Sequence, residues 1–194
     1  MRVSYRKGEE QLVKACVAGK RKAQKELYEL YCDQMMAVCL RYARSYMEAE
    51  DVMQEGFLRV FKKLDTYKGN GSLEGWIRRV IINVAIKNYH RNSRLYVMAS
   101  MEDIHEEPSQ DVVSEYFDHS DLMDMVQSLP DGYRMVFNLY AIEGYSHKEI
   151  AAMLDISEGT SKSQLARARK TLQRMLRPKQ EYRHSKVGNE QPAG

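Results

Sequence analysis

Proline and glycine are scarce in this chain, four and 11 among 194 residues, and long runs of Val, Ile or Thr are absent. Those absences exclude a hairpin-rich or collagen-like chain and move the expected fold class to all-α. No segment approaches the ~20 consecutive apolar residues that a bilayer-crossing helix needs, so no membrane insertion is expected. The amino terminus, MRVSYRKGEEQLVKAC, carries basic residues without an apolar signal core, and the expected location is cytoplasmic. Cys16, Cys32 and Cys39 lack Cys-x-x-Cys spacing and a neighbouring histidine pair, which argues against a zinc site or a disulfide framework. Five scattered histidines and no cluster of acid, base and nucleophile leave no catalytic residues, no metal and no cofactor to assign. The chain is not expected to be an enzyme.

What the sequence does have is charge in blocks. The net charge is only +3, but Arg59 to Arg94 holds nine basic and two acidic residues. Leu95 to Tyr133 holds ten acidic residues and no Lys or Arg, and Glu158 to Lys186 again has nine basic against two acidic. Two basic blocks separated by an acidic connector suggest two nucleic-acid-facing modules on a tether.

The clearest motif lies in the second basic block, SHKEIAAMLDISEGTSKSQLARARKTLQRML, residues 146–176. Ile150, Ala151 and Leu154 fall at helical spacing, and Leu165, Ala168, Leu172 and Met175 repeat as a second apolar stripe. Leu154 to Ser157 supplies the break, with Ser157 placed to cap the second helix. This is a helix-turn-helix pattern. Thr160, Ser161, Lys162, Ser163 and Gln164 crowd the first turns of the second helix, where short polar side chains reach base edges. Arg167, Arg169, Lys170, Arg174 and Arg177 follow and suit phosphates.

Toward the amino terminus, short helical spacing over residues 8–18 precedes a longer pattern over 21–46, with Ala23, Leu27, Leu30, Tyr31, Met35, Val38 and Tyr42 as its buried stripe. A third helix spans about 47–64 and leaves Glu50, Asp51, Gln54 and Glu55 off its apolar face. Acids there suit the helix dipole, and they equally suit a basic docking partner. Asp65 to Ser72 has loop composition, and Ser72 is placed to cap a helix over about 73–91. That helix buries Trp76 or Ile77 together with Val80, Ile81 and Val84, and shows Arg78, Arg79, Asn83, Lys87 and Arg91. Tyr67, Lys68 and Asn70 beside a basic helix offer stacking, an amide and a phosphate contact for a splayed single strand, or simply a polar loop. Residues 95–119 lose periodicity and read as a flexible acidic linker. Helical pattern resumes at Ser120, stops at Pro130, restarts with Asp131 as cap and ends at Gly144. Domain 1–94, linker 95–119, a four-helix domain at 120–177 and a polar tail at 178–194 complete the organisation.

With these residues in view, SLPDGYRMVFNLYAIEGYSHKEIAAMLDISEGTSKSQLARARKTL resembles the promoter-binding C-terminal domain of extracytoplasmic-function (ECF) sigma factors of bacterial RNA polymerase. AEDVMQEGFLRVFKKL, followed by Trp76, Ile77, Arg78 and Asn83, resembles the other conserved domain of that family. The resemblance covers about Ala23 to Leu176 in the family's order. It implies a protein that binds RNA polymerase core and directs promoter-specific initiation, including promoter opening. It implies that Asp51, Gln54 and Glu55 dock on the clamp helices of the polymerase's largest subunit. Tyr67, Lys68, Asn70, Trp76, Arg78, Arg79, Asn83, Lys87 and Arg91 would hold melted minus-ten DNA, with a flipped base in the loop. Ser157, Glu158, Thr160, Ser161, Lys162, Ser163, Gln164, Arg167 and Lys170 would meet the minus-thirty-five element. The acidic linker would thread toward the polymerase's RNA path, and an anti-sigma factor is the further partner implied.

Three positions depart from the family's pattern. Asp155 stands where the turn usually has Gly, Ser161 where Val is more frequent, and Lys87 where an acid is frequent. Ser161 then either faces DNA or packs loosely. The alternative function is a free-standing helix-turn-helix regulator that acts without polymerase; a third is an interaction protein that reads no DNA.

Overall fold

The computed structural model describes the backbone of residues 2–99 and 119–187, and side chains over 8–92 and 123–176. Among the described residues every regular element is helical, which agrees with the all-α expectation. The chain divides into two compact units, Met1–Glu102 and Asp103–Gly194.

The first unit contains α1 (Arg2–Val17), α2 (Arg21–Tyr42), α3 (Tyr46–Lys63), a 3-10 turn (Leu64–Thr66) and α4 (Leu73–Ala99). Gly19, at φ +74°, ends α1: its N–H donates to Cys16 O, and the Lys20 N–H donates to Ala15 O. Only a residue at ease in the left-handed region closes a helix this way at little cost. Ser45 caps α3 by accepting the Glu48 N–H at 3.2 Å. Glu48 answers through its carboxylate, accepting from Arg44 N at 2.7 Å and from the side-chain amides of Asn88 and Asn92 on α4. One acid therefore both fixes the start of α3 and ties it to α4.

The core lies where α2, α3 and α4 meet. Leu27, Met35, Val38, Ala49, Val60, Ile77 and Ile81 are fully buried there. Gly56 explains the close approach of α3 to α4, because a Cβ on it would lie 2.5 Å from Ile81 Cδ1. Leu30, expected in the buried stripe of α2, is instead 58% exposed. It sits three residues from Leu27 but on the side away from Met35, Val38, Cys39 and Tyr42, so it falls at the edge of the stripe that the neighbouring helices cover.

The second unit contains α5 (His119–Gln127), α6 (Asp131–Phe137) continued by one π-helical turn (Asn138–Ile142), α7 (His147–Leu154) and α8 (Glu158–Val187). Met125, Leu129, Ala168 and Leu172 form its core cluster, with Tyr133, Phe137, Met175 and Leu176 packed against it. Arg134 is buried to 3% exposure, yet fully engaged: Nη1 donates to the carbonyls of Gln127 and Leu129, and Nη2 to Asp131 Oδ1 at 2.7 Å. Its guanidinium satisfies carbonyls that the end of α5 leaves open, which is why a charge is tolerated there. Asp131, expected as the cap of α6, is its first helical residue, and Pro130 holds the cap position.

Two boundaries differ from expectation. α4 continues through Ala99, five residues into the expected linker, and α8 continues past Pro178 to Val187, into the expected tail. Residues 95–99 are Leu-Tyr-Val-Met-Ala and residues 178–187 are mostly polar, and helical hydrogen bonding, once nucleated, propagates through both. The rest of the expected linker, residues 100–118, and residues 188–194 lie outside the described residues. No helix among the described residues is long and apolar enough to cross a membrane.

Candidate nucleic-acid interface

In the first unit, α4 carries the basic surface. Arg79, Asn83, Lys87 and Arg91 are all exposed and recur every four residues, so they line one ridge. Its opposite side, Ile77, Ile81, Ile82, Val84, Ala85 and Ile86, is buried and holds the ridge rigid. Arg78 and Trp76 are half-buried beside it. Of the two candidates for the core at this point, Ile77 is buried and Trp76 lies at the edge, its ring 5.8 Å from that of Tyr67.

That ring contact anchors the loop. Tyr67 Oη donates to Gly71 O at 3.0 Å and closes the loop on itself, while Gly69 and Gly71 take φ of +72° and +100°. Ser72 caps α4 as expected, accepting the Gly75 N–H at 3.1 Å. Lys68 and Asn70 are exposed on the loop's outer side. Between the loop and α1 lies a cavity of about 820 Å³, bounded among others by Glu9, Val13, Leu64, Tyr67 and Lys68.

On α3, Asp51 and Gln54 are exposed. Glu55 is half-buried and engaged, 2.6 Å from Arg59 Nη2 and 3.7 Å from Lys87 Nζ. The structure thus joins Glu55 of the expected docking set to Lys87 of the expected DNA set. Met47 and Leu58, at 74% and 71% exposure, flank Asp51 and Gln54 on the same face. Sequence reasoning missed these two. Met47 lies four residues before Asp51 and Leu58 four after Gln54, and that spacing was the available signal, since apolar residues in phase with a polar face are not core.

In the second unit the helix-turn-helix is α7, the turn and α8. Ser146 and Glu149 form a reciprocal capping box at the start of α7. Hydrogen bonds from the Ser146 hydroxyl and N–H hold the Glu149 carboxyl below its ordinary pKa. Asp155 makes the turn in the left-handed conformation, φ 54° and ψ 47°. Ser157 accepts the Thr160 N–H at 2.9 Å and caps α8. Leu165, Ala168 and Leu172 turn inward, which leaves Glu158, Lys162, Ser163, Arg167, Arg169 and Lys170 exposed.

Three residues of the expected reading set do not belong to that exposed face in the same way. Ser161 is fully buried, its Oγ 2.9 Å from His147 Nδ1, so it neither faces DNA nor packs loosely. The expectation that it contacts a base is corrected: the inward phase of position 161 is that of Leu165 and Ala168, and the hydroxyl is satisfied within the fold. Gln164 is half-buried over Gly132, where a Cβ would meet its Nε2 at 3.0 Å. Thr160 is half-buried, its hydroxyl 2.8 Å from Ser157 Oγ. His147 in turn stacks on Tyr140 at 4.5 Å, and Arg169 lies 5.6 Å over the other ring. Chemically the arrangement offers positive charge, exposed hydroxyls and a rigid helix end, which suits duplex DNA.

Comparison with known proteins fits these two surfaces to two known modules. Residues 27–95 match the family Sigma-70 region 2, and residues 119–172 match Sigma-70, region 4. The ECF RNA polymerase sigma factor SigE of Mycolicibacterium smegmatis is 33% identical over 156 residues, 78% of this chain and 60% of that one. The ECF RNA polymerase sigma-E factor of Escherichia coli K12 is 29% identical over 180 residues, 86% of this chain and 93% of that one. The chain therefore spans less than two thirds of the mycobacterial relative and nearly all of the enterobacterial one. Among solved structures, the sigma factor RpoE of Bartonella quintana, in complex with the anti-sigma factor NepR, shares the fold. Its TM-score is 0.51 at 23% identity, covering 79% of this chain and 96% of that chain.

Proposed function

The chain belongs to the ECF sigma factors of RNA polymerase, and on that premise we propose that it binds polymerase core, directs promoter-specific initiation and assists promoter opening. The observation that carries this reading is the pairing, in one chain, of a region 2 unit bearing a basic ridge with a region 4 unit bearing a helix-turn-helix. Asp51 and Gln54, with Met47 and Leu58 beside them, form the docking face for core polymerase. Glu55 supports that face through Arg59 and Lys87.

The loop and ridge, Tyr67, Lys68, Asn70, Trp76, Arg78, Arg79, Asn83, Lys87 and Arg91, hold the separated minus-ten strand. Stacking by aromatic rings and phosphate contacts by cations need no chemistry from the protein, only a preset geometry. In the second unit, Lys162 and Ser163 meet base edges at the minus-thirty-five element, while Arg167 and Lys170 neutralise phosphates. Residues 95–119 connect the two grips, and two linked contacts on one promoter raise the effective concentration of each for the other. An anti-sigma factor that covers the same surfaces is the regulatory partner consistent with this reading. A free-standing regulator has no use for a unit that matches region 2.

The test is a titration of the full chain into bacterial core polymerase. Tight, saturable binding is expected. Replacing Asp51 with Arg and Leu58 with Asp together weakens it at least about tenfold, the effect of ~1.4 kcal/mol. Absence of a complex between the native chain and core contradicts the reading.

A further inference from the structure

The first donors of α4 are satisfied from two directions. The Gly75 N–H goes to Ser72 Oγ, inside the loop's own sequence. The Leu73 N–H goes instead to Glu9 Oε1 on α1, at 3.0 Å and 64 residues earlier in the chain. An exposed first turn can give its donors to water. This donor is partly buried, and the Leu73 side chain is wholly so, which leaves water a poor substitute for the carboxylate.

The surroundings of that bond converge on the foot of the loop. Tyr31 of α2 lies there too: burial, then the carboxylates of Glu9 and Glu74 and the Tyr67 phenol, push its hydroxyl up to about 12. Tyr67 ties the loop internally. Tyr67 Oη reaches Gly71 O, the Tyr67 ring meets Trp76, and Gly69 and Gly71, both at positive φ, have nothing within 4 Å of an added Cβ. A segment with two unpacked, left-handed glycines keeps its shape only if both ends are held. One end continues from the 3-10 turn, and at the other the Ser72 cap is joined by the Glu9 contact, the hold that comes from outside the loop and α4.

We infer that Glu9 is a positioning residue for strand capture, fixing the α4 end of the loop through Leu73 so that Tyr67, Lys68 and Asn70 keep the spacing an unstacked base requires. The inference rests on the proposed minus-ten role of the loop. Glu9 itself touches no DNA. α1 precedes the segment that matches region 2, so the device belongs to the part of this chain that the family match does not cover. What the geometry asks of position 9 is an acceptor atom at the reach of a Glu side chain. Glu9→Gln retains that atom, Glu9→Asp is one methylene short, and Glu9→Ala has no acceptor.

The experiment uses the full chain with core polymerase on a promoter fragment from which the native holoenzyme initiates. Three quantities are read: permanganate reactivity of unpaired minus-ten thymines, run-off transcript, and affinity for core. Glu9→Ala and Glu9→Asp are expected to lower opening and transcript about tenfold at unchanged core affinity, the size of one charge-assisted hydrogen bond. Glu9→Gln is expected to stay within about twofold of native. Native opening by Glu9→Ala, alongside losses in Lys68→Ala and Asn70→Ala, overturns the role of Glu9 and leaves the loop's role standing. Equal loss of opening and core affinity overturns it as well, because that is general destabilisation. Native opening by the Lys68 and Asn70 variants overturns the loop reading, and the inference with it.

Discussion

His147 Nδ1 lies 2.9 Å from the hydroxyl of Ser161, which is wholly buried between the two helices of the helix-turn-helix. The first helix of the motif is thereby tied by a polar contact to the helix that presents Lys162 and Ser163. Removing His147 leaves the buried Ser161 hydroxyl without this partner, at a cost of ~1–3 kcal/mol, while the half-buried His147 that loses Ser161 can turn to water at a smaller cost. Ser161→Ala and His147→Ala should therefore each speed amide hydrogen exchange in α7 and α8. Their double variant should cost less than the sum, by ~0.5–1.5 kcal/mol. Neither should change which minus-thirty-five bases are preferred, since the hydroxyl does not reach the surface. Additive effects, or a changed base preference at Ser161→Ala, would contradict the assignment.

Arg134 supplies a second test of buried polarity. Its guanidinium serves the Gln127 and Leu129 carbonyls and Asp131 at once. Arg134→Met keeps much of the volume but leaves those acceptors without donors, and should destabilise the second unit by ~3 kcal/mol. Thermal unfolding of the full chain, followed by hydrogen exchange in α5 and α6, reads this directly. Unchanged protection there would mean that solvent replaces the arginine.

Asp155 is held at φ 54°, ψ 47° in the turn. A side chain in that region costs ~1–2 kcal/mol that glycine does not incur, and Asp recovers part of the cost by local hydrogen bonding. Asp155→Gly should raise the stability of the second unit by about 1 kcal/mol and Asp155→Ala should lower it. A reversed order of the two in urea unfolding would rule out strain as the relevant property.

The cap of α7 depends on pH with a definite sign. The Glu149 carboxyl titrates below its usual value of 4.5 because Ser146 donates to its charged form. A carboxyl whose folded pKa is depressed lends stability that is present above the unfolded pKa and is lost as pH falls through the folded one. Protection factors of the α7 amides, taken relative to intrinsic exchange at each pH, should therefore fall as pH drops below about 4.5. Glu149→Gln should flatten that response. The same acid sensitivity in the variant would place its origin elsewhere.

Much of this protein was legible in its sequence because the informative signals are local. The apolar stripes of α3, α4 and α8, the caps at Ser72 and Ser157 and the break over Leu154 to Ser157 each follow from residues within one or two helical turns. Features that depend on what another helix does were not legible. Leu30 fits an apolar stripe yet finds no neighbour to cover it, and Ser161 looks like a reader but falls on the inward phase of α8. Glu9 gives no hint at position 9 that it will meet the N–H of residue 73. The extension of α8 to Val187 escaped because a polar helix carries no period to count, and that of α4 to Ala99 because five residues are too few to show one.

The most direct measurement adds the full chain to bacterial core polymerase and sequences the 5′ ends of transcripts from a library of genomic fragments. A set of defined start sites absent from core alone is expected, preceded by two shared sequence elements, with opening at the nearer one. Binding to duplex DNA without any gain of defined starts would contradict it.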